Sequence, residues 1–170
     1  SLTSSVVFVI DLVFFVIILR LTRSTLSSSS AASDCDKRQM LLVLCIDLDD
    51  DVGRKTDIET PVVGSDAVRE AAIDLATADP EDSDLNVMFQ GLSTYDSLQA
   101  DGDEAVEVAV VTGVEGNDVT ANRTIGDEID TVLAGLQTGE EVSAIVITDG
   151  AQDESVIPII RSRMPIDGVQ

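Results

Sequence analysis

The chain has 170 residues, 32 Asp+Glu against 10 Lys+Arg for a net charge of -22, two Cys, and neither His nor Trp. Without an imidazole there is no Ser–His–Asp or Cys–His relay, and a four-ligand Cys/His zinc site cannot be filled. Residues 1–40 hold four bases (Arg20, Arg23, Lys37, Arg38) and three acids (Asp11, Asp34, Asp36), so residues 41–170 carry a net −23 with six bases, too few for a broad phosphate-binding surface, and no nucleic-acid partner is expected.

Acidity of this kind marks disordered chains only when hydrophobicity is also low, and here 44% of residues are hydrophobic. The composition instead predicts a folded domain in concentrated salt, where screening shortens to about 3 Å near 1 M and carboxylates keep the surface hydrated. A haloarchaeal cytosol is the expected setting. Cys35 lies in a Ser-rich stretch and Cys45 in an apolar run, so a disulfide is not expected; Cys45 reads as a small buried apolar residue.

In chain order, the first element is the apolar stretch Val6–Leu19, interrupted by Asp11 and holding three of the four Phe. It is shorter than the roughly 20 residues of a membrane-spanning helix. It reads as a signal anchor with Arg20 and Arg23 on the cytoplasmic side, as an apolar segment of the fold, or as sequence upstream of a true start at Met40. A cleaved signal peptide fits less well, because the basic n-region is missing. The polar linker SSSSAAS follows, so residues 1–39 form an apolar segment plus linker and residues 40–170 an acidic domain.

From Met40 the pattern alternates. Leu41–Ile46 is a continuous apolar run ending at Asp47, as in a central parallel strand. Ser65 is placed to cap a helix through Val68, Ala71, Ala72, Leu75 and Ala76, stopped by Asp79-Pro80. Ser83 is placed to cap a second, through Leu85, Met88, Phe89, Leu92 and Tyr95, with Gly91 an unfavourable interior residue. Val106–Val111 predicts a strand closed by Thr112-Gly113, residues 122–137 a helix through Ile125, Ile129, Val132, Leu133 and Leu136, and Val142–Ile147 a third strand closed by Thr148-Asp149-Gly150. This order predicts an α/β fold: a Rossmann-like open parallel sheet with flanking helices. Three strands are thin for such a sheet, and the chain stops at Val169-Gln170 where another would start, so truncation at the C-terminus is expected.

Ligands of open parallel sheets bind beyond the carboxyl ends of the strands. Those ends carry Asp47, Asp49, Asp50 and Asp51, then Thr112 and Gly113, then Thr148, Asp149, Asp153 and Glu154. Gathered carboxylates call for a cation, and Mg²⁺ suits oxygen ligands; Asp47, Asp49, Asp149 and Asp153 are the candidate metal ligands. In so acidic a segment, acids at strand ends also arise by chance. Thr112, Gly113, Thr148 and Arg54 are candidate ligand-binding residues. Gly53-Arg54-Lys55 either touches an anion or pairs with Asp50 or Asp51, and Arg161 and Arg163 contact phosphate or neutralise a helix end. Neither common nucleotide-binding glycine loop occurs.

Two resemblances bear on function. The apolar strand followed by Asp47-Leu48-Asp49 resembles the first motif of the haloacid dehalogenase superfamily, VAVVT ending at Thr112 is similar to its second, and TDGAQDE at 148–154 to its acidic metal-binding motif. That resemblance implies Asp47 as nucleophile and Asp49 as general acid/base in a Mg²⁺-dependent phosphotransfer. The sequence departs from the pattern in having no Lys after the second motif and a run of further Asp after Asp49. A closer and nearly continuous resemblance, through LLVLCIDLDDDVGRK (41–55), TPVVG (60–64), LATADPEDSDLN (75–86) and ITDGAQDESVIPIIRSRMPI (147–166), is to an archaeal membrane-protein family known as domain of unknown function family 373. It implies a soluble N-terminal α/β part followed by membrane helices beyond this chain, and carries no activity with it. The expected function is an acidic cytoplasmic domain of a membrane-associated protein that senses or binds a cation or small anionic ligand; the alternatives are the phosphatase and a structural interaction module. The charge balance predicts that dialysis from molar KCl into dilute buffer abolishes the circular dichroism of the fold; an unchanged spectrum contradicts it.

Overall fold

The computed structural model describes residues 39–102, 104–136, 141–150 and 155–170. The apolar head, the Ser-rich linker and Cys35 lie outside them, as do Gln137, Asp153 and Glu154. In chain order the elements are β1 (Gln39–Asp47), α1 (Asp51–Thr56), β2 (Val62–Val63), α2 (Ser65–Ala78), α3 (Asp84–Asp101), β3 (Ala105–Thr112), α4 (Asp118–Leu136), β4 (Glu141–Ile147), α5 (Ile157–Arg161) and β5 (Ile166–Val169).

The strands form one sheet in the order β2-β3-β1-β4-β5. β1 lies in the middle, parallel to β3 on one side and β4 on the other, with Leu44 opposite both Ala109 and Val146. Its apolar residues alternate between two cores. Leu41, Val43 and Cys45 meet Val68, Ala72 and Leu75 of α2 and Leu85, Met88 and Leu92 of α3. Leu42, Leu44 and Ile46 meet Ile125, Ile129 and Val132 of α4 and Ile160 of α5. A strand covered on both faces has no polar side to show, which is why its sequence is an unbroken apolar run. Each fully buried Leu or Ile in it contributes about 1.5–3 kcal/mol relative to exposure.

The fold is α/β, and its sheet is mixed rather than wholly parallel. β2 runs antiparallel to β3, with Val62 opposite Val110 and Val63 opposite Ala109. Two residues are too few to give a periodic signal, so this strand was invisible to pattern reading. It blunts the edge of β3 that would otherwise offer unpaired backbone groups. The expectation of three strands is also corrected. Ile166-Asp167-Gly168-Val169 is itself β5, parallel to β4 across a bulge at Ala144/Ile145; half exposed and carrying Asp and Gly, it lacked the apolar run by which the other strands were found. Neither serine cap forms. α2 opens from Gly64, whose N–H donates to the Val108 carbonyl at 2.9 Å, and Ser83 makes no side-chain cap; the Asp84 N–H donates instead to Asp82 Oδ1 at 2.9 Å.

Gly91 has a specific structural task. α3 lies so close to β1 that a Cβ at Gly91 collides with the Cys45 sulfur, and the Cys45 thiol faces the Val87 carbonyl at 3.6 Å. Cys45 is buried, and burial pushes its thiol up to about 12, consistent with a packing residue. Among the described residues no helix is long and apolar enough to cross a membrane.

The contact yields a prediction. Gly91→Ala destabilises the fold by about 1–3 kcal/mol through overpacking, and adding Cys45→Ala recovers part of that loss. Thermal or urea unfolding of the four members of the cycle in molar KCl measures it; an equal Gly91→Ala penalty with and without the Cys45 sulfur refutes the contact.

Candidate functional site

The connection leaving β1 crosses the α2/α3 face to reach β3, whereas the connection leaving β4 crosses the α4/α5 face to reach β5. Between the carboxyl ends of β1 and β4 the chain therefore departs toward opposite faces, the position at which open α/β sheets hold ligands.

Asp47 ends β1, opposite Thr112 of β3. The two-residue period of the strand turns its side chain to the same face as Cys45, toward α3. It is 1% exposed. The Val52 N–H donates to its Oδ2 at 2.9 Å and the Asp51 N–H to its Oδ1 at 3.2 Å, so this one carboxylate seats the amino end of α1. Burial pushes the Asp47 carboxyl up to about 7, with Asp49 and Asp51 adding to the rise and the two amide hydrogen bonds opposing it.

Asp84, the first residue of α3, is 6% exposed. It stands seven residues, two helical turns, before Gly91 on the same stripe of the helix, so the tight Gly91–Cys45 packing also brings it to the end of β1. Oxygens of Asp47, Asp49 and Asp84 lie within 4.8 Å of one another, as do oxygens of Asp51, Asp82 and Asp84. Burial, then the charges of Asp47, Asp82, Asp149 and Asp49, push the Asp84 carboxyl up to about 8. Among the described residues no hydrogen bond reaches its side chain, and no Lys or Arg forms an ion pair with the side chain of Asp47, Asp49 or Asp84.

The basic side chains are committed beside this pocket. Lys55 Nζ lies 2.8 Å from Asp51, 2.8 Å from Asp79 and 2.7 Å from Asp82. These hydrogen bonds hold the ammonium well above the usual lysine range and the Asp79 carboxyl below the usual carboxylate range. Arg54 pairs with Asp51 at 3.4 Å and Glu115 at 3.2 Å, and donates to the Asp49 carbonyl at 3.3 Å. Arg163, away from this group on the α4/α5 side, is bound by both oxygens of Asp130.

The remaining sequence candidates are distributed around the same edge. Asp149 is exposed, and its charge reaches Asp84. The Thr148 N–H donates to the Gln170 carbonyl at 3.1 Å. The Gly113 N–H donates to the Asp47 carbonyl at 2.7 Å, and a Cβ at Gly113 would strike the Leu48 carbonyl, so this glycine lets two loops touch. Thr112 faces a separate polar group: its N–H donates to Glu128 Oε2 at 2.6 Å, and its hydroxyl lies 2.7 Å from that of Thr60, which donates to Glu128 Oε1 at 2.6 Å. Burial pushes the Glu128 carboxyl up against these bonds, and Asp50, in the left-handed region at φ 61, adds to the rise. Asp50 has one buried oxygen without a hydrogen bond. Asp153 lies outside the described residues.

Asp47 and Asp49 are thus joined by Asp84, and by Asp51 and Asp82 beyond it. Asp82 and Asp84 were not among the sequence candidates because they sit between two helices rather than after a strand. The signal present was an acid at the first position of a helix whose next residues, Leu85, Val87 and Met88, are core.

Residues 40–170 match the family described as Domain of unknown function (DUF373). The chain belongs to this family. It is 48% identical over 128 residues to an uncharacterized protein of Archaeoglobus fulgidus, a match covering 75% of this chain and 36% of the relative, and 36% identical over 123 residues to an uncharacterized protein of Methanocaldococcus jannaschii, covering 72% and 32%. The chain spans about a third of the length of these curated relatives. No solved structure matches it. Every acid of the pocket falls within the segment that matches the family.

Set among Asp47, Asp49 and Asp82 on a residue 6% exposed, the Asp84 carboxylate costs the folded state through repulsion and desolvation when ionised and through proton uptake when neutral. Asp84→Asn therefore raises the unfolding free energy of the metal-free chain by roughly 1–3 kcal/mol. Thermal unfolding in EDTA and molar KCl measures it; a lowered Tm would show that Asp84 is already compensated.

Proposed function

We propose that this domain binds a divalent cation, with Mg²⁺ the best match, through Asp47, Asp49 and Asp84, and serves as the cation-sensing part of a longer membrane-associated protein in a salt-rich haloarchaeal cytosol. The observation that carries the reading is Asp84, a residue 6% exposed whose carboxylate makes no hydrogen bond with the described residues, with oxygens of Asp47 and Asp49 within 4.8 Å and no described Lys or Arg paired to either side chain. Oxygens this close suit a cation held at about 2.0–2.6 Å. Mg²⁺ keeps several waters on such a site, and Asp149 on the rim offers them an acceptor. The membrane part of the proposal draws on the resemblance of residues 41–166 to a family of membrane proteins. The Rossmann-like part draws on the order of the parallel strands, β3-β1-β4-β5, with helices on both faces, as in doubly wound sheets.

The phosphotransfer alternative draws on Asp47 and Asp49 sharing this pocket. It is disfavoured by the surroundings, because a phosphate here meets Arg54 and Lys55 only after displacing their carboxylate partners. Cation binding asks nothing of either base.

Differential scanning of the chain in molar KCl with and without millimolar MgCl₂ tests the proposal. A ligand present at a hundredfold excess over its Kd stabilises by about 2.7 kcal/mol, a Tm rise of several degrees. Asp84→Asn abolishes the response. A wild-type Tm indifferent to Mg²⁺ overturns the reading, and phosphatase activity that Asp47→Asn removes would favour the enzyme instead.

A further inference from the structure

The cation pocket adjoins a second cluster, Asp51–Asp82–Asp84, and Asp84 belongs to both. The second cluster already contains a positive charge, the Lys55 ammonium, at 2.8 Å from Asp51 and 2.7 Å from Asp82. Asp82 is the deepest of the Lys55 partners, with a side chain 2% exposed, whereas Asp79, at 40%, stands outside the cluster and anchors only the lysine. Asp84, a residue 6% exposed whose carboxylate makes no hydrogen bond with the described residues, is the one described carboxylate that belongs to both halves.

We infer that Lys55 is a tethered substitute for a second divalent ion: it fills the Asp51–Asp82 half and limits the site to one metal, with Asp84 the ligand at the boundary. This rests on the cation-binding reading above. Charge supports it. With a metal bound and all five ionised, Asp47, Asp49, Asp51, Asp82 and Asp84 bring five negative charges, which Lys55 and one divalent ion reduce to a net −2. A second divalent ion beside the ammonium would place like charges within a few ångströms in a poorly screened pocket. With Lys55 removed, two divalent ions bring the same five carboxylates to a net −1, held about 3.5–4 Å apart as in carboxylate-bridged pairs.

Geometry supports it as well. Lys55 projects from α1, and the amino end of α1 is seated on Asp47. The carboxylate that would ligate the metal therefore also fixes where the ammonium can reach. The second ion excluded in this way is a hard, oxygen-seeking divalent cation, and its exclusion removes the two-metal clamp on which in-line phosphoryl transfer often relies.

Mn²⁺ titration of the 170-residue chain in molar KCl, read by the electron paramagnetic resonance of free Mn²⁺ and by calorimetry, is the test. The wild type binds one ion and Lys55→Arg still binds one. Lys55→Gln binds two, with the spectral broadening of a coupled pair, and Lys55→Gln/Asp82→Asn returns to one. A wild type that binds two, a Lys55→Arg that binds two, or a Lys55→Gln that binds one or none while the wild type binds one, each overturns the inference and leaves the cation-binding reading standing. A Lys55→Gln chain that stays unfolded in millimolar Mn²⁺ also overturns it, since the second ion should replace the lost charge. A wild type that binds no Mn²⁺ removes the cation-binding reading itself, and this inference with it.

Discussion

The carboxylate of Asp47 is the hinge on which the acidic end of the sheet turns. It leaves the core strand at the point where the apolar run ends, is almost wholly shielded from water, and uses both oxygens to hold the backbone of α1. Six residues of helix would not persist alone, since nucleation is costly and short helices are marginal. Held at its first turn by a buried anion, α1 instead presents Lys55 on one side and Arg54 on the other. The charge arrangement of the whole edge follows from that seat.

This explains why two of the most basic positions in an acidic domain do not make a receptor for anions. Arg54 and Lys55 are consumed by Asp51, Asp79, Asp82 and Glu115. Among the described residues, the side chains of Asp47, Asp49 and Asp84, which lie together, have no ion-pair partner. Folding such a set against its own repulsion is a cost that the two cores of β1 must absorb, which is the usual relation between a binding site and the scaffold around it. Membership in a family described as a domain of unknown function assigns the pocket no reaction.

Much of the scaffold was legible in the residues. Leu41–Ile46 announced a strand buried on both faces, the 3.6-residue spacing of Val68–Ala76 and Ile125–Leu136 announced helices, and Asp79-Pro80 marked a stop that the structure places just after Ala78. The elements not foreseen are all short: α1, β2, α5 and β5 hold between two and six residues, below the length at which periodicity carries information. The strand-end rule pointed to Asp47, Asp49 and Asp149, of which Asp47 and Asp49 lie together with Asp84 and Asp149 stands outside that group. It could not find Asp82 and Asp84, because their approach to β1 depends on how closely α3 packs, and that closeness is set at Gly91. The residue that weakened the helix in sequence terms is the one that brings the helix to the site.

The walls around Cys45 have a practical side. With α3 pressed against it and no solvent path to the sulfur, the thiol is closed to alkylating reagents for as long as α3 stays on the sheet. Its modification would then clock the lifting of that helix, making a native side chain an intrinsic timer for the opening of the molecule.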